Sequence, residues 1–283
     1  MNDAVAALGS GSSSTSACIF VYAGTYTVGS DQIYINYAGN LTLYGQTANT
    51  GSYTDNVVTF QRSMTSTAAG NLDGSAVLNV VSANFRAYNM NFKNTYGAGT
   101  QAVAVTANGN QQGYYGVGFY GYQDTLYAKG GAQYYSNCYI EGAVDYIFGG
   151  AAAWFGECTI ASNGGGAITA NSRQTDDTTW YVIDHSTITA ASGYSLSGDV
   201  YLGRPWRALA RVIFQNSVLT DVVAAAGWTT LAADATPIFE EYDNSGAGSS
   251  TSARVYETVA TAAVTKDQLW GSSGWESWID TSY

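Results

Sequence analysis

Tyr135-Ser136-Asn137-Cys138-Tyr139-Ile140 and Phe155-Gly156-Glu157-Cys158-Thr159-Ile160 are two copies of one pattern. A large apolar residue leads, a short polar turn follows, and another apolar residue closes. Ile183-Asp184-His185-Ser186-Thr187-Ile188 and Phe214-Gln215-Asn216-Ser217-Val218-Leu219 repeat it. Tyr88-Asn89-Met90-Asn91-Phe92 and Tyr115-Gly116-Val117-Gly118-Phe119 are looser copies. The four close copies start 20 to 31 residues apart. Periods of this size mark solenoids, in which each coil buries its apolar face against the next. The unit has strand character and no helical half. It therefore predicts an all-β parallel β-helix rather than leucine-rich or ankyrin repeats. A β-sandwich with chance similarity between strands is the alternative.

The rest of the chain agrees with a solenoid. Its 283 residues suit one elongated domain, 1–283. Charged residues are 11% of the chain, against a usual share of about a quarter. Gly (33) and Tyr (23) are abundant, as turns and pleated half-buried surfaces require. One helix is expected at the start, Met1 to Leu8, ending at Gly9 and followed by a Gly/Ser-rich loop to Ser16. The net charge of −11 disfavours nucleic acid and anionic membrane surfaces. No apolar run is long enough to span a bilayer, and no signal peptide is visible. Asn40-Leu41-Thr42 is the one glycosylation sequon.

Cys138 and Cys158 hold the same place in adjacent copies. Strands about 4.8 Å apart would stack their side chains at a distance compatible either with a disulfide or with two buried thiols. Cys18 is left over and expected to be buried in a strand. No CxxC pair exists, so a zinc ribbon has no support.

Two carboxylates stand inside strand-like text. Tyr122-Gln123-Asp124-Thr125-Leu126-Tyr127 carries the first, and Glu141-Gly142-Ala143-Val144-Asp145-Tyr146-Ile147-Phe148-Gly149 the second. Asp124 and Asp145 are 21 residues apart, beside a cysteine spacing of 20. One coil of that length places both on one face. Neighbouring carboxylates cannot both ionise freely, so one becomes an acid and the other a nucleophile or base. Arg204, in Tyr201-Leu202-Gly203-Arg204-Pro205-Trp206, can hold a carboxylate ionised and aimed. Trp206 offers a flat face to a sugar ring. Gln101 and Gln123 can donate amide hydrogens to a developing oxyanion. The same residues also suit a turn cap and a structural ion pair.

Other chemistries lack their parts. His185 is the one histidine and sits inside a repeat, where a core or turn role is expected. No G-x-S-x-G elbow or HExxH motif occurs. Asp176-Asp177 reads as a solvated loop pair rather than a calcium site.

The quoted motifs resemble the pectin methylesterases, and most closely their secreted fungal branch. The matching stretches are Gln101 to Val105, Gly121 to Tyr127, Glu141 to Gly149 and Leu202 to Trp206. Leu41 to Thr47, Ala226 to Trp228 and the closing Trp275 to Tyr283 match more weakly. The resemblance covers nearly the whole chain. It implies a right-handed parallel β-helix that hydrolyses the methyl ester of galacturonate in pectin and releases methanol. It implies Asp145 as nucleophile, Asp124 as general acid and then base, Arg204 as the group orienting Asp145, and Gln101 and Gln123 as oxyanion donors. Trp206, Tyr127, Phe148, Val144 and Thr100 would contact substrate. No metal or cofactor is implied. The implied partner is methyl-esterified homogalacturonan, met by a secreted monomer. Another β-helix pectin enzyme, a galacturonan hydrolase or lyase, and an inactive pectin-binding homologue are the competing readings.

Three positions depart from the family pattern. Tyr146 stands where Phe is frequent, Thr100 where fungal relatives often have His, and Gly24-Thr25-Tyr26 runs into Thr27 rather than an acidic residue. The resemblance also implies a strand ahead of Met1, whose absence would expose a solenoid edge. Restoring about 20 upstream residues is expected to raise the thermal midpoint. Free pectate would be repelled by a −11 protein. A preference for highly methylated stretches, an acidic optimum and random attack are therefore expected.

Overall fold

A computed structural model describes residues 1–272 and 274–283. The repeats stack in register. Tyr135 pairs with Phe155, Phe155 with Ile183, and Ile183 with Phe214, all in parallel. At the other end of the unit, Ile140, Ile160, Ile188 and Leu219 form a second inward row. The looser copies join at Tyr88–Tyr115 and Phe92–Phe119. Three parallel sheets of ten, eight and seven strands result, and each full coil gives one strand to each. The coils wind as a right-handed parallel β-helix.

The polar turn inside each repeat is a left-handed backbone bend. Asn137, Glu157, His185 and Asn216 have φ of 52°, 55°, 47° and 52°. The bend carries the chain from the first sheet to the second without interrupting the ladder. Glu157 N–H donates to Asp184 O at 3.1 Å, and His185 N–H to Gln215 O at 3.2 Å. Inside, rings stack along the axis: Tyr114 on Tyr135 at 5.0 Å, and Tyr135 on Phe155 at 4.6 Å. Aromatic ladders of this kind keep identical pleats in register.

Cys138 and Cys158 stack in that interior as free thiols. Each contacts a carbonyl two residues back, Ser136 O and Gly156 O, at 3.4 Å. Cys18 is exposed, contrary to expectation. Its strand, Ser16–Val21, pairs Ala17 and Ile19 with the buried Leu41 and Leu43, so the alternate residue Cys18 faces outward beside Thr42.

The opening helix spans Asn2–Ala7 and buries Val5 in the core. Asn2 ties it to the strand Ile33–Ile35, its side chain bonding Gln32 O and Tyr34 N. Three further short helices, Ser66–Ala69, Leu72–Ser75 and Lys266–Trp270, interrupt the strand text. Their caps Thr65, Asn71 and Thr265 each accept a backbone N–H, and Thr265 with Gln268 forms a capping box. The closing segment straps the first sheet. Trp270 Nε1 donates to Ala152 O, Tyr88 OH to Asp280 Oδ2 and Tyr283 OH to Asn89 Oδ1, all at 2.9 Å.

Ala226-Gly227-Trp228 belongs to a buried ion-pair network. Arg254 Nε and Nη2 donate to Glu241 Oε1 and Oε2 at 2.7 and 2.9 Å, and both side chains are 2% exposed. Trp228 Nε1 adds a third donor to Glu241. A Cβ on Gly227 would lie 2.3 Å from Arg254 Cδ, and φ there is 66°, so glycine is required twice over. Arg254→Ala leaves Glu241 buried without its partner. A loss of about 3–5 kcal/mol is expected in urea unfolding. A change under about 1 kcal/mol, the range of surface pairs, would contradict this account.

Candidate active site

A second bend, between the second and third sheets, raises the two aspartates. Asp124 and Asp145 have φ of 64° and 51°, a region that Asp tolerates better than most residues. Gln123 and Val144 form a parallel bridge, and Asp124 N–H donates to Val144 O at 3.0 Å. Asp145 N–H donates in turn to Ala167 O at 2.7 Å. The two carboxylates therefore occupy equivalent places on adjacent coils, as their spacing predicts. They are 4% and 9% exposed.

The outward row of the third sheet forms the floor beside them. Tyr127 pairs with Phe148, Phe148 with Ala170, and Ala170 with Arg204. Arg204 thus lies two coils beyond Asp145, about 10 Å along the solenoid axis. Its side chain reaches back past the small Ala170. Nε donates to Asp145 Oδ1 at 2.7 Å and Nη2 to Oδ2 at 2.8 Å. Such a bidentate clasp fixes the plane of the carboxylate.

The electrostatics separate the two acids. Burial, and then the Asp145 charge, push the Asp124 carboxyl up from 3.8 to about 8, against the opposing pull of Arg204. Asp124 is thus a carboxylic acid at neutral pH. The hydrogen bond to Asp145 raises the guanidinium pKa of Arg204. One proton donor and one guanidinium-clasped carboxylate therefore face the same space.

That space is a cleft of about 250 Å³ lined by Gln101, Gln123, Asp124, Asp145, Phe148, Arg204 and Trp206. Leu72, Ala170 and Leu231 complete it. Tyr127 stacks on Phe148 at 4.3 Å and supports the aromatic wall without lining the cleft itself. Val144 is held in the bridge to Gln123, and Thr100 lies one residue before Gln101; neither lines the cleft.

Ser66 bonds to one of these residues, and the motifs did not identify it. Its hydroxyl donates to Gln101 Oε1 at 3.0 Å, and its N–H donates to Gln101 O at 2.9 Å. The first bond leaves the Gln101 amide N–H groups for the cleft. The cap residue Thr65 and the closing Gly70 are the sequence signals for this helix. Leu72 and Leu231 carry none, since an isolated leucine does not reveal which coil it will face.

His185 stands on the bend between the first and second sheets, exposed, with Nδ1 2.9 Å from Asp184. That is the expected turn role. Asp176 and Asp177 both pair with Arg173, at 2.6 and 3.2 Å, and so are partnered rather than simply solvated.

A family model described as Pectinesterase matches residues 1–270. "Probable pectinesterase A" of Aspergillus niger is 60% identical over 284 residues, covering 100% of this chain and 85% of that protein. "Pectinesterase A" of Emericella nidulans is 58% identical over 274 residues, covering 96% and 83%. Among solved structures, the pectin methylesterase from Aspergillus niger superposes with a TM-score of 0.96 at 60% identity, covering 100% of this chain and 93% of that one. The pectin methylesterase from carrot gives 0.82 at 30% identity, covering 93% and 84%.

Proposed function

The chain belongs to the pectinesterase family, and from that premise we propose that it removes methyl esters from galacturonate in pectin through Asp145 and Asp124. One observation carries the assignment of roles. Arg204 clasps Asp145, while Asp124, protonated at neutral pH, faces the same cleft.

An Asp145 oxygen attacks the ester carbonyl carbon. The amides of Gln101 and Gln123 stabilise the oxyanion that forms. The carbon–methoxy bond breaks as Asp124 gives its proton to the leaving oxygen, and methanol departs. An acyl anhydride joins the substrate to Asp145. Asp124, now a carboxylate, takes a proton from water, and the hydroxide opens the anhydride. The products are a galacturonate carboxyl and free Asp145, with Asp124 protonated again. Arg204 positions Asp145 throughout. Trp206 and Phe148, backed by Tyr127, offer aromatic faces to the sugar rings; Val144, beside Gln123, and Thr100, beside Gln101, would meet sugar units that extend beyond the cleft.

The wider reading is a single catalytic solenoid, residues 1–283, working as a secreted monomer without metal or cofactor on methyl-esterified homogalacturonan. The charge of −11 disfavours nucleic acid and anionic membrane surfaces as partners; among the described residues no helix is long and apolar enough to cross a membrane. The charge of −11 supports highly methylated stretches as substrate, an acidic optimum and random attack. Methanol release from methylated pectin, followed across pH, tests the reading. Loss of polymer viscosity without methanol would replace it with a hydrolase or lyase, and binding without turnover with an inactive homologue. Long contiguous demethylated blocks in the product would contradict random attack.

A further inference from the structure

Gln123 and Asp124 line the cleft, and the two residues before them, Gly121 and Tyr122, line a second cavity, of about 350 Å³. Tyr120, Tyr122 and Tyr194 line it, with Lys93, Glu141 and Asn163. Tyr194 is 51% exposed, so one ring is presented directly to solvent.

The polar groups are arranged rather than scattered. Lys93 Nζ lies 4.6 Å from the centre of the Tyr120 ring. Glu141 accepts from Tyr139 OH at 2.7 Å and from Asn163 Nδ2 at 3.0 Å. Asn163 Nδ2 also donates to Gly121 O at 2.9 Å. Two acceptors on one side fix the amide: the NH₂ group must face them. Asn163 is 8% exposed, and its Oδ1, turned away from both acceptors, is buried with no protein partner. Buried acceptors in native proteins are rarely left unpaired.

Three tyrosines, one cation and one anion make a pocket of balanced charge. Lys93 and Glu141 offset each other, so a free polyanion gains little there. A hydroxyl-rich ring with apolar faces suits it better, because aromatic walls with a few placed polar groups recognise such ligands. Tyr122 is two residues from Asp124, which ties the pocket to the wall of the cleft.

Resting on the pectinesterase reading, we infer that this pocket is an outlying subsite for an uncharged, methyl-esterified galacturonate unit. Its test does not need turnover. Calorimetry with a fully methyl-esterified oligogalacturonide is run on the Asp145→Asn enzyme, with and without Tyr194→Ala or Lys93→Gln. Both added changes are at partly or largely exposed side chains. Binding is expected to weaken about fivefold or more with either, equivalent to about 1 kcal/mol. Identical isotherms would overturn the subsite. Equal or tighter binding of the unesterified oligomer would overturn its assignment to an uncharged sugar. In the otherwise native enzyme, Tyr194→Ala is expected to raise KM for polymeric pectin with kcat unchanged; an unchanged KM contradicts the proposal. If the native enzyme releases no methanol, the reaction assignment fails, and the calorimetry still decides the subsite.

Discussion

Asp145→Asn is expected to lower kcat for methanol release by at least about a thousandfold, some 4 kcal/mol of transition-state stabilisation. An amide cannot supply the attacking oxygen, and no other carboxylate is clasped in that position. The side chain keeps its volume on the same left-handed bend, where Asn is tolerated as well as Asp. A folded, pectin-binding and inactive enzyme is therefore expected. Circular dichroism and a melting curve establish the fold, and the methanol assay establishes the loss. Retention of a tenth of the activity would remove Asp145 from the nucleophilic role. It would leave the clasp with Arg204 as a structural pair.

Asp124→Asn has the second large effect, and its sign differs between activity and stability. Activity requires a proton on Asp124, so methanol release by the native enzyme should fall as pH rises through about 8. The variant should be at least about a hundredfold slower at every pH, the usual contribution of a positioned acid–base group, without that alkaline limb. For stability, the folded-state carboxyl sits at about 8 and the ordinary value is 3.8. The folded protein therefore holds more protons than the unfolded chain between these values, and its stability falls as pH rises across that window. The neutral Asn has no such term. The thermal midpoint of Asp124→Asn, relative to native, should climb from pH 4 to pH 8 and level off above. A constant difference across that range would contradict the raised pKa. An active site that weakens the fold it stands on is a familiar compromise.

Much of this arrangement was legible in the chain. Repeat starts at Tyr135, Phe155, Ile183 and Phe214 became one hydrogen-bonded row. A 21-residue spacing put Asp124 and Asp145 on adjacent coils because one coil there has that length. Other features were not legible. Two stacked thiols fit the same spacing as a disulfide, and only the folded structure separates the two. Cys18 follows the inside–outside phase of its strand, which a short apolar run does not reveal. Helices of four or five residues carry too little periodicity to be seen between strands, although Thr65, Asn71 and Thr265 mark their starts.

The two aspartates divide along the same line. The sequence by itself determined the solenoid, the coil length and hence the pairing of Asp124 with Asp145, because repeats are local and register follows from them. Only the tertiary structure supplied a physical reason to choose Asp124 as the acid, a choice that the family resemblance had implied. That choice depends on burial, on the distance between charges and on Arg204 arriving from two coils away over Ala170. All three depend on how the coils stack, so spacing along the chain could not supply them.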